Sequence, residues 1–127
     1  MVANEKIFPE NATVAGPYCP GVKVGNLIFV SGQGPARGTT GIEEQTQTAL
    51  EKIKQIVKTA GGNVSNIVKI TVFMKNINDF TEMNKAYKEF FEKNGVTEIF
   101  PTRSTVEVSN FPVPGMLIEI DAIAILK

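Results

Sequence analysis

The most constraining feature of the sequence is its last apolar stretch, residues 116–126, where every second residue is apolar. A strand sends successive side chains to opposite faces, so this segment has one fully apolar face and one mixed face. The apolar face carries Met116, Ile118, Ile120, Ala122, Ala124 and Leu126, and the mixed face carries Leu117, Glu119, Asp121, Ile123 and Ile125. The first face has to be covered by other elements, which predicts a layered α+β fold.

Two amphipathic helices are predicted, at residues 42–60 and 79–93, because apolar residues recur there at helical spacing. Thr40-Gly41-Ile42-Glu43 matches a capping box at the start of the first helix. Gly61-Gly62 and Asn94-Gly95 end the two helices, since these residues accept a positive φ. Two helices are enough to cover one face of a sheet, and they leave the other face open.

Strands are predicted in six segments that are separated by turns containing Gly, Pro or Asn. They are residues 22–24, 27–31, 67–75, 103–108 and 116–126, with a weaker one at 6–8. Gly25-Asn26 suits a tight hairpin, and the main element order is ββαβαββ. With 127 residues, 43% of them hydrophobic, and no repeat or linker, the chain is expected to form one domain, residues 1–127.

The open face is where chemistry and assembly are expected. In segment 103–108, Arg103 and Thr105 point to one face, and we expect Arg103 to share the uncovered face with Glu119. That face also carries Leu117, Ile123 and Ile125, which is more apolar area than solvent alone accommodates well. A homo-oligomer would bury it, whereas in a monomer the N-terminal segment and the loops would have to cover it.

The composition excludes several classes of function. The chain has no His and one Cys, so it cannot form a His-based zinc site, a Ser-His-Asp triad, a Cys-His pair or an internal disulfide. Its two aspartates show no metal-binding spacing, and we expect no metal and no cofactor. Cys19 is interpreted as a packing residue, since no base is available to activate it.

Charge and hydropathy also limit the partners. Thirteen basic residues balance thirteen acidic ones, so nucleic acid is not expected as a partner. Residues 1–6 lack the pattern of a signal peptide, and the most apolar run contains Glu119 and Asp121. We therefore expect a cytoplasmic protein with no membrane-spanning segment.

Arg103 is the main candidate for ligand binding because only one other arginine, Arg37, is present. It directly follows Phe100-Pro101-Thr102, where its planar, always-charged group could grip a carboxylate with two hydrogen bonds. The alternative is a structural ion pair with Glu107 or Glu119.

Four other residues are candidates, each with an ordinary alternative. Glu119 is a general base or a solvated acid, and Tyr18 closes a polar pocket or packs on the core. Ser31 lies before Gly32, where the backbone allows close approach of a ligand, but it also suits an ordinary turn. Asn84 interrupts the apolar stripe of the second helix, where it reaches a ligand or satisfies backbone groups.

Several segments of the chain resemble the RidA/YjgF family, and they occur in order over nearly the whole length of the chain. The segments that carry the resemblance are Gly16-Pro17-Tyr18, residues 25–33, the helix of residues 44–61, residues 68–73, Phe80 with Met83-Asn84, residues 101–108 and residues 118–124. The most distinctive of them is Arg103-Ser104-Thr105-Val106-Glu107-Val108.

The resemblance implies a chorismate-mutase-like fold and a homotrimer whose sheets face the trimer interior, with clefts between subunits that bind small carboxylates such as 2-oxo acids. It also implies an activity, because characteristic members are enamine/imine deaminases. They hydrolyse 2-iminobutanoate and 2-iminopropanoate, reactive products of pyridoxal-phosphate enzymes, to 2-oxo acids and ammonia.

Carried over to matching positions, the resemblance makes Arg103 the carboxylate-gripping residue and Glu119 the residue associated with water. The substrate-binding positions are then Tyr18, Ser31, Gly32, Asn84, Arg103 and Thr105. Thr105 stands where many members have Cys, which makes its backbone the useful part. A short loop at 34–41 and the pair Cys19-Pro20 depart from the family pattern and bear on substrate choice.

Two rival functions remain at this point. One is a trimer that binds or senses 2-oxo acids without turnover. The other is the ribonuclease or translation-inhibitor activity of some members, against which the zero net charge and the lack of His both count.

Overall fold

A computed structural model describes residues 2–127 and contains six strands and two long helices. The strands are β1 (Asn4–Ile7), β2 (Gly21–Val24), β3 (Leu27–Gln33), β4 (Ile67–Met74), β5 (Thr102–Glu107) and β6 (Ile118–Ile125), and the helices are α1 (Ile42–Thr59) and α2 (Phe80–Lys93). The predicted elements and their order are confirmed, including the weaker first strand. The differences are at the ends of these elements and in two short 3-10 helices, Val64–Asn66 and Ile77–Asp79, which were not predicted.

All six strands form one mixed sheet in the order β1-β2-β3-β6-β4-β5. Neighbours are antiparallel except β4 and β5, which are parallel. The predicted hairpin is confirmed, since Val24 pairs with Leu27 across Gly25-Asn26 and Gly25 has a φ of 59°. Strand β5 forms one edge of the sheet, so one side of its backbone has no neighbouring strand.

Both helices lie on the same face of the sheet, as predicted. The side chains of β6 that face them, Ile118, Ile120, Ala122 and Ala124, are at most 3% exposed. Leu50, Ile53 and Val57 of α1 and Met83 and Phe91 of α2 complete the same core, and all are fully buried. Alternation in the last strand therefore identified the covered face correctly.

The opposite face of the sheet is open. Phe29 on β3 and Val106 on β5 are 43% and 44% exposed, and Leu27 and Ile125 are also exposed. Glu119, Asp121 and Ile123 alternate along the same face of β6 and are half-buried. The face is therefore apolar at several points and polar at its centre.

The predicted capping box at the start of α1 is wrong. Gly41 is the N-cap residue with a φ of 83°, and no side chain hydrogen-bonds the free N–H groups of the first turn. The chain enters the helix in a left-handed conformation that suits glycine, so Thr40 is displaced from the capping position.

Gln45, buried in the second turn of α1, connects two loops instead. Its Nε2 donates to the carbonyl oxygens of Thr39 (3.2 Å) and Gly115 (3.0 Å), and its Oε1 accepts from the N–H of Leu117 (2.8 Å). One amide thus ties the loop after β3 to the segment that leads into β6, which carries Glu119.

We expect Gln45→Leu to lower the free energy of unfolding by about 2 kcal/mol, because it leaves three part-buried backbone groups without their partner. Gln55→Leu on the same helix is the matched control, since Gln55 is exposed and bonds only to Glu51. Urea denaturation of both variants measures the difference. Equal losses would show that the three hydrogen bonds of Gln45 contribute nothing.

Candidate functional site

Arg103 and Glu119 lie on opposite faces of the sheet, so the prediction that they share the open face is wrong. Arg103 pairs with Ile70 of β4, whose side chain is fully buried beneath the helices. Glu119 pairs with Phe73, on the other face of the same strand. Paired residues point to the same face, so Arg103 faces the helices and Glu119 faces outward.

The guanidinium of Arg103 rests on α2. Its Cζ lies 4.7 Å from the ring centroid of Tyr87 and 5.6 Å from that of Phe80, and Nη1 contacts Sδ of Met83 at 4.0 Å. These three residues lie on one face of the helix because they are three and four positions apart. The contacts are with ring faces and sulfur, so the N–H groups of Arg103 stay largely free to bind an anion.

No carboxylate neutralises Arg103. The only ion pair within 4.0 Å among residues 2–127 joins Lys85 to Glu43, at 3.6 Å on the surface. Glu107, one of the two predicted alternatives, accepts the backbone N–H of Ile77 at 2.9 Å. A structural ion pair therefore does not account for Arg103, and its charge is available to a ligand.

Thr105 lies two residues further along β5 on the same face as Arg103. The N–H of Val108 donates to the carbonyl of Met74 on β4 at 2.9 Å, and alternate N–H groups of a strand point to the same side. The N–H groups of residues 104 and 106 therefore also point to β4. Those of Arg103 and Thr105 lie between them in the sequence and point the other way, to the free edge of the sheet. The buried Oγ1 of Thr105 has no hydrogen-bond partner, which leaves the N–H as its accessible donor.

Asn84 and Tyr87 complete this first group of residues on α2. Asn84 is half-buried, next to Met83 along the helix, and no hydrogen bond of its side chain is found within residues 2–127. Tyr87 is a buried residue of α2 that the sequence did not mark as a site residue, because its spacing is that of a core position. Burial raises the pKa of Tyr87 to about 12, against a smaller opposing effect of Arg103, so its phenol stays neutral at physiological pH.

A second group surrounds Glu119, where β3 carries an irregularity between Val30 and Gln33. A Cβ on Gly32 would lie 2.7 Å from Cδ of Glu119, so only glycine allows this carboxyl group to pack against the strand. Ser31 Oγ donates to the carbonyl of Cys19 at 2.7 Å. Tyr18 precedes Cys19 and is 48% exposed. Of the predicted residues, Gly32 and Glu119 are thus in contact, Ser31 adjoins Gly32, and Tyr18 adjoins Cys19, with its hydroxyl accepting from the N–H of Ala15 at 3.4 Å.

Burial raises the pKa of Glu119, and the neighbouring Asp121 raises it further. A carboxyl group in this environment binds a proton more readily than a solvated one, as a general base requires near neutral pH. No group of three or more His, Cys, Asp or Glu side chains in the described chain could hold a metal ion.

The two groups therefore lie apart within one chain. Strand β4 separates β6 from β5, and Arg103 is level with Ala122, three residues from Glu119 along β6, so the backbones of Arg103 and Glu119 are about 14 Å apart and their side chains lie on opposite faces. Two concavities lie elsewhere: one of about 610 Å³ is lined by Glu43, Glu82 and Lys85, and one of about 400 Å³ lies beside β1. Arg103 and Glu119 of one chain cannot hold the same small ligand.

Within residues 2–127, neither long helix combines the length and hydropathy needed to span a bilayer.

Comparison with known proteins gives a consistent result over nearly the whole chain. The family model described as endoribonuclease L-PSP matches residues 9–126. The 2-iminobutanoate/2-iminopropanoate deaminase of Escherichia coli is 44% identical over 130 residues, covering 98% of this chain and 99% of that protein. A RutC family protein of Pyrococcus abyssi is also 44% identical, covering 97% of this chain and 98% of that protein.

Solved structures match equally well. The crystal structure of E. coli TdcF with bound serine has a TM-score of 0.89 and 38% sequence identity to this chain. The match covers 97% of this chain and 99% of that one.

We expect Glu119→Gln to raise the free energy of unfolding at pH 7. A raised pKa means that the folded protein favours the protonated carboxyl group, so stability falls as pH rises past the ordinary value of about 4.3. Gln removes this cost at pH 7, and the gain should vanish at about pH 3.5, where Glu119 is protonated in both states. Urea denaturation at both pH values, with the exposed Glu98→Gln as control, measures it. A loss of stability at pH 7 would contradict the assignment.

Proposed function

Since the chain belongs to the RidA/YjgF family, described as endoribonuclease L-PSP, we propose that it is an enamine/imine deaminase that acts on 2-iminobutanoate and 2-iminopropanoate. The products are the 2-oxo acid and ammonia. The substrates would come from pyridoxal-phosphate enzymes, and a cytoplasmic location is part of the same proposal.

The observation that carries this proposal is the unneutralised guanidinium of Arg103. It is held against two aromatic rings, and no carboxylate of the described chain contacts it. A planar guanidinium matches a carboxylate with two parallel hydrogen bonds. The outward-facing N–H of Thr105 supplies a further donor, and Asn84 supplies an amide on the adjoining helix. These groups suit the carboxylate that all 2-imino and 2-oxo acids share.

The second part of the proposal is a homotrimer with its sites between subunits. The open sheet face, with Phe29, Val106 and Ile125 exposed, would be buried against neighbouring subunits in the trimer interior. Subunit packing would then bring the Glu119 group of one subunit to the Arg103 group of the next. This arrangement accounts for two half-sites that one chain cannot join.

In the reaction, Arg103 and Thr105 would hold the substrate carboxylate and thereby fix C2 of the imine. Glu119, with Tyr18, Ser31 and Gly32 of the same subunit around it, would orient a water molecule and take its proton as the oxygen bonds to C2. The same proton would then pass to the amine nitrogen. As the C–N bond breaks and ammonia leaves, the C2 hydroxyl would become the carbonyl of the 2-oxo acid and give its proton to the Glu119 carboxylate. Imines are already electrophilic, so positioning and one proton-transfer group are sufficient, and no metal is required.

The proposal predicts that Arg103→Ala lowers kcat/KM for imine hydrolysis by roughly a hundredfold or more, through loss of two charge-assisted hydrogen bonds. Arg37→Ala, in an exposed loop, is the matched control and should retain wild-type activity. The assay couples a serine/threonine dehydratase to the release of 2-oxo acid and ammonia.

Full activity of Arg103→Ala would exclude the proposed role of this residue. If the wild-type protein binds 2-oxobutyrate tightly but does not accelerate imine hydrolysis, the result supports the alternative function, a trimer that binds or senses 2-oxo acids without turnover. RNA affinity that falls steeply with rising salt would favour the ribonuclease alternative.

A further inference from the structure

Arg103 is held by aromatic rings and not by a carboxylate. A neighbouring carboxylate could fix the guanidinium, but it would occupy the N–H groups and cancel the charge that a ligand needs. Here the guanidinium carbon lies over two aromatic rings, 4.7 Å from the centroid of Tyr87 and 5.6 Å from that of Phe80. A ring attracts the cation without cancelling its charge, and the one side-chain contact of its N–H groups within residues 2–127 is that of Nη1 with Sδ of Met83, so the other donors stay available to an anion.

Tyr87 is the more firmly held of the two rings. It is 5% exposed, and its ring packs against Phe91 with centroids 4.7 Å apart. Phe80 is 39% exposed and also contacts Arg103. The ring of Tyr87 therefore has less freedom to move than that of Phe80, and it sets the position of the guanidinium that lies over it.

The hydroxyl of Tyr87 does not explain why the residue is there. It is buried and has no hydrogen-bond partner within residues 2–127. Unpartnered buried hydroxyl groups reduce stability, so this atom contributes nothing favourable to the unliganded fold. What remains for Tyr87 to contribute is the face of its ring.

We propose that Tyr87 is a positioning residue whose ring, with that of Phe80, holds the Arg103 guanidinium in the orientation that binds a carboxylate, without occupying its donors. The inference rests on the proposed function in one respect, namely that Arg103 grips the substrate carboxylate. If the inference holds, removing the Tyr87 ring weakens ligand binding only because Arg103 is no longer held in place, so the ring has no effect on binding once Arg103 is absent.

Binding of 2-oxobutyrate, measured by calorimetry on the intact oligomer, tests the ring against the hydroxyl. Tyr87→Leu should raise Kd about tenfold because a cation–π contact is lost, whereas Tyr87→Phe should restore Kd to within about twofold of the wild-type value. Phe90→Leu is the matched control, since it removes a buried aromatic ring of α2 whose ring contact is with Phe91, and not with Tyr87 or Arg103. Its Kd should stay near the wild-type value.

A double-mutant cycle separates a positioning role from general destabilisation. In an Arg103→Ala background, Tyr87→Leu should cause no further loss of imine hydrolysis. In the wild-type background it should raise KM more than it lowers kcat, because carboxylate binding is common to substrate and transition state. If Tyr87→Leu does not fold, Phe80→Leu, at an exposed position, replaces it in both experiments with the same expected pattern and a smaller effect.

The inference is overturned if Tyr87→Leu weakens binding no more than Phe90→Leu does, if Tyr87→Phe is as impaired as Tyr87→Leu, or if the losses from Arg103→Ala and Tyr87→Leu add in the double variant. These results leave the proposed function intact, provided that Arg103→Ala itself abolishes binding. An unchanged Kd in Arg103→Ala overturns both. A wild-type protein that binds 2-oxobutyrate without hydrolysing imines overturns only the deaminase activity, and the binding experiments still decide the role of Tyr87.

Discussion

The packing of two helices against one face of the sheet determines where every polar group of the site lies. Six strands present two faces, and α1 and α2 are enough to cover one of them. Glu119 falls on the uncovered face with apolar residues that still need a partner, while Arg103 falls beneath α2. The layered fold thus separates Glu119 from Arg103, the proposed carboxylate-binding residue, within each chain. Assembly of identical chains is the simplest way to bring them together.

The two groups also differ in the kind of support that they receive. Glu119 is supported by backbone, because the irregular turn of β3 at Gly32 leaves space that only a glycine can provide. Arg103 is supported by side chains, through the rings of Phe80 and Tyr87. Burial makes Glu119 a better proton acceptor, whereas ring contacts leave Arg103 charged and accessible. Neither group requires the other in order to reach its position.

Much of this fold could be predicted from local patterns, since helical spacing, Gly25-Asn26 and the alternation in β6 all act within a few residues. The face on which Arg103 lies could not. Alternation says which residues of β5 share a face, but β5 is an edge strand without a fully buried residue, and both of its faces carry polar side chains, so no apolar side marks its orientation. The parallel pairing with β4, set by residues far apart in the sequence, decides it. Likewise, the predicted capping box at the start of α1 does not form, because the chain enters the helix through Gly41 with a positive φ.

The most direct test of two half-sites per chain is complementation between inactive variants. Arg103→Ala and Glu119→Gln would be unfolded together in equal amounts, refolded, and assayed for imine hydrolysis. If each site takes Arg103 from one subunit and Glu119 from the next, random assembly restores both groups at about a quarter of the interfaces, with a matching share of wild-type activity. Co-refolded protein that stays as inactive as either variant alone would contradict an intersubunit site.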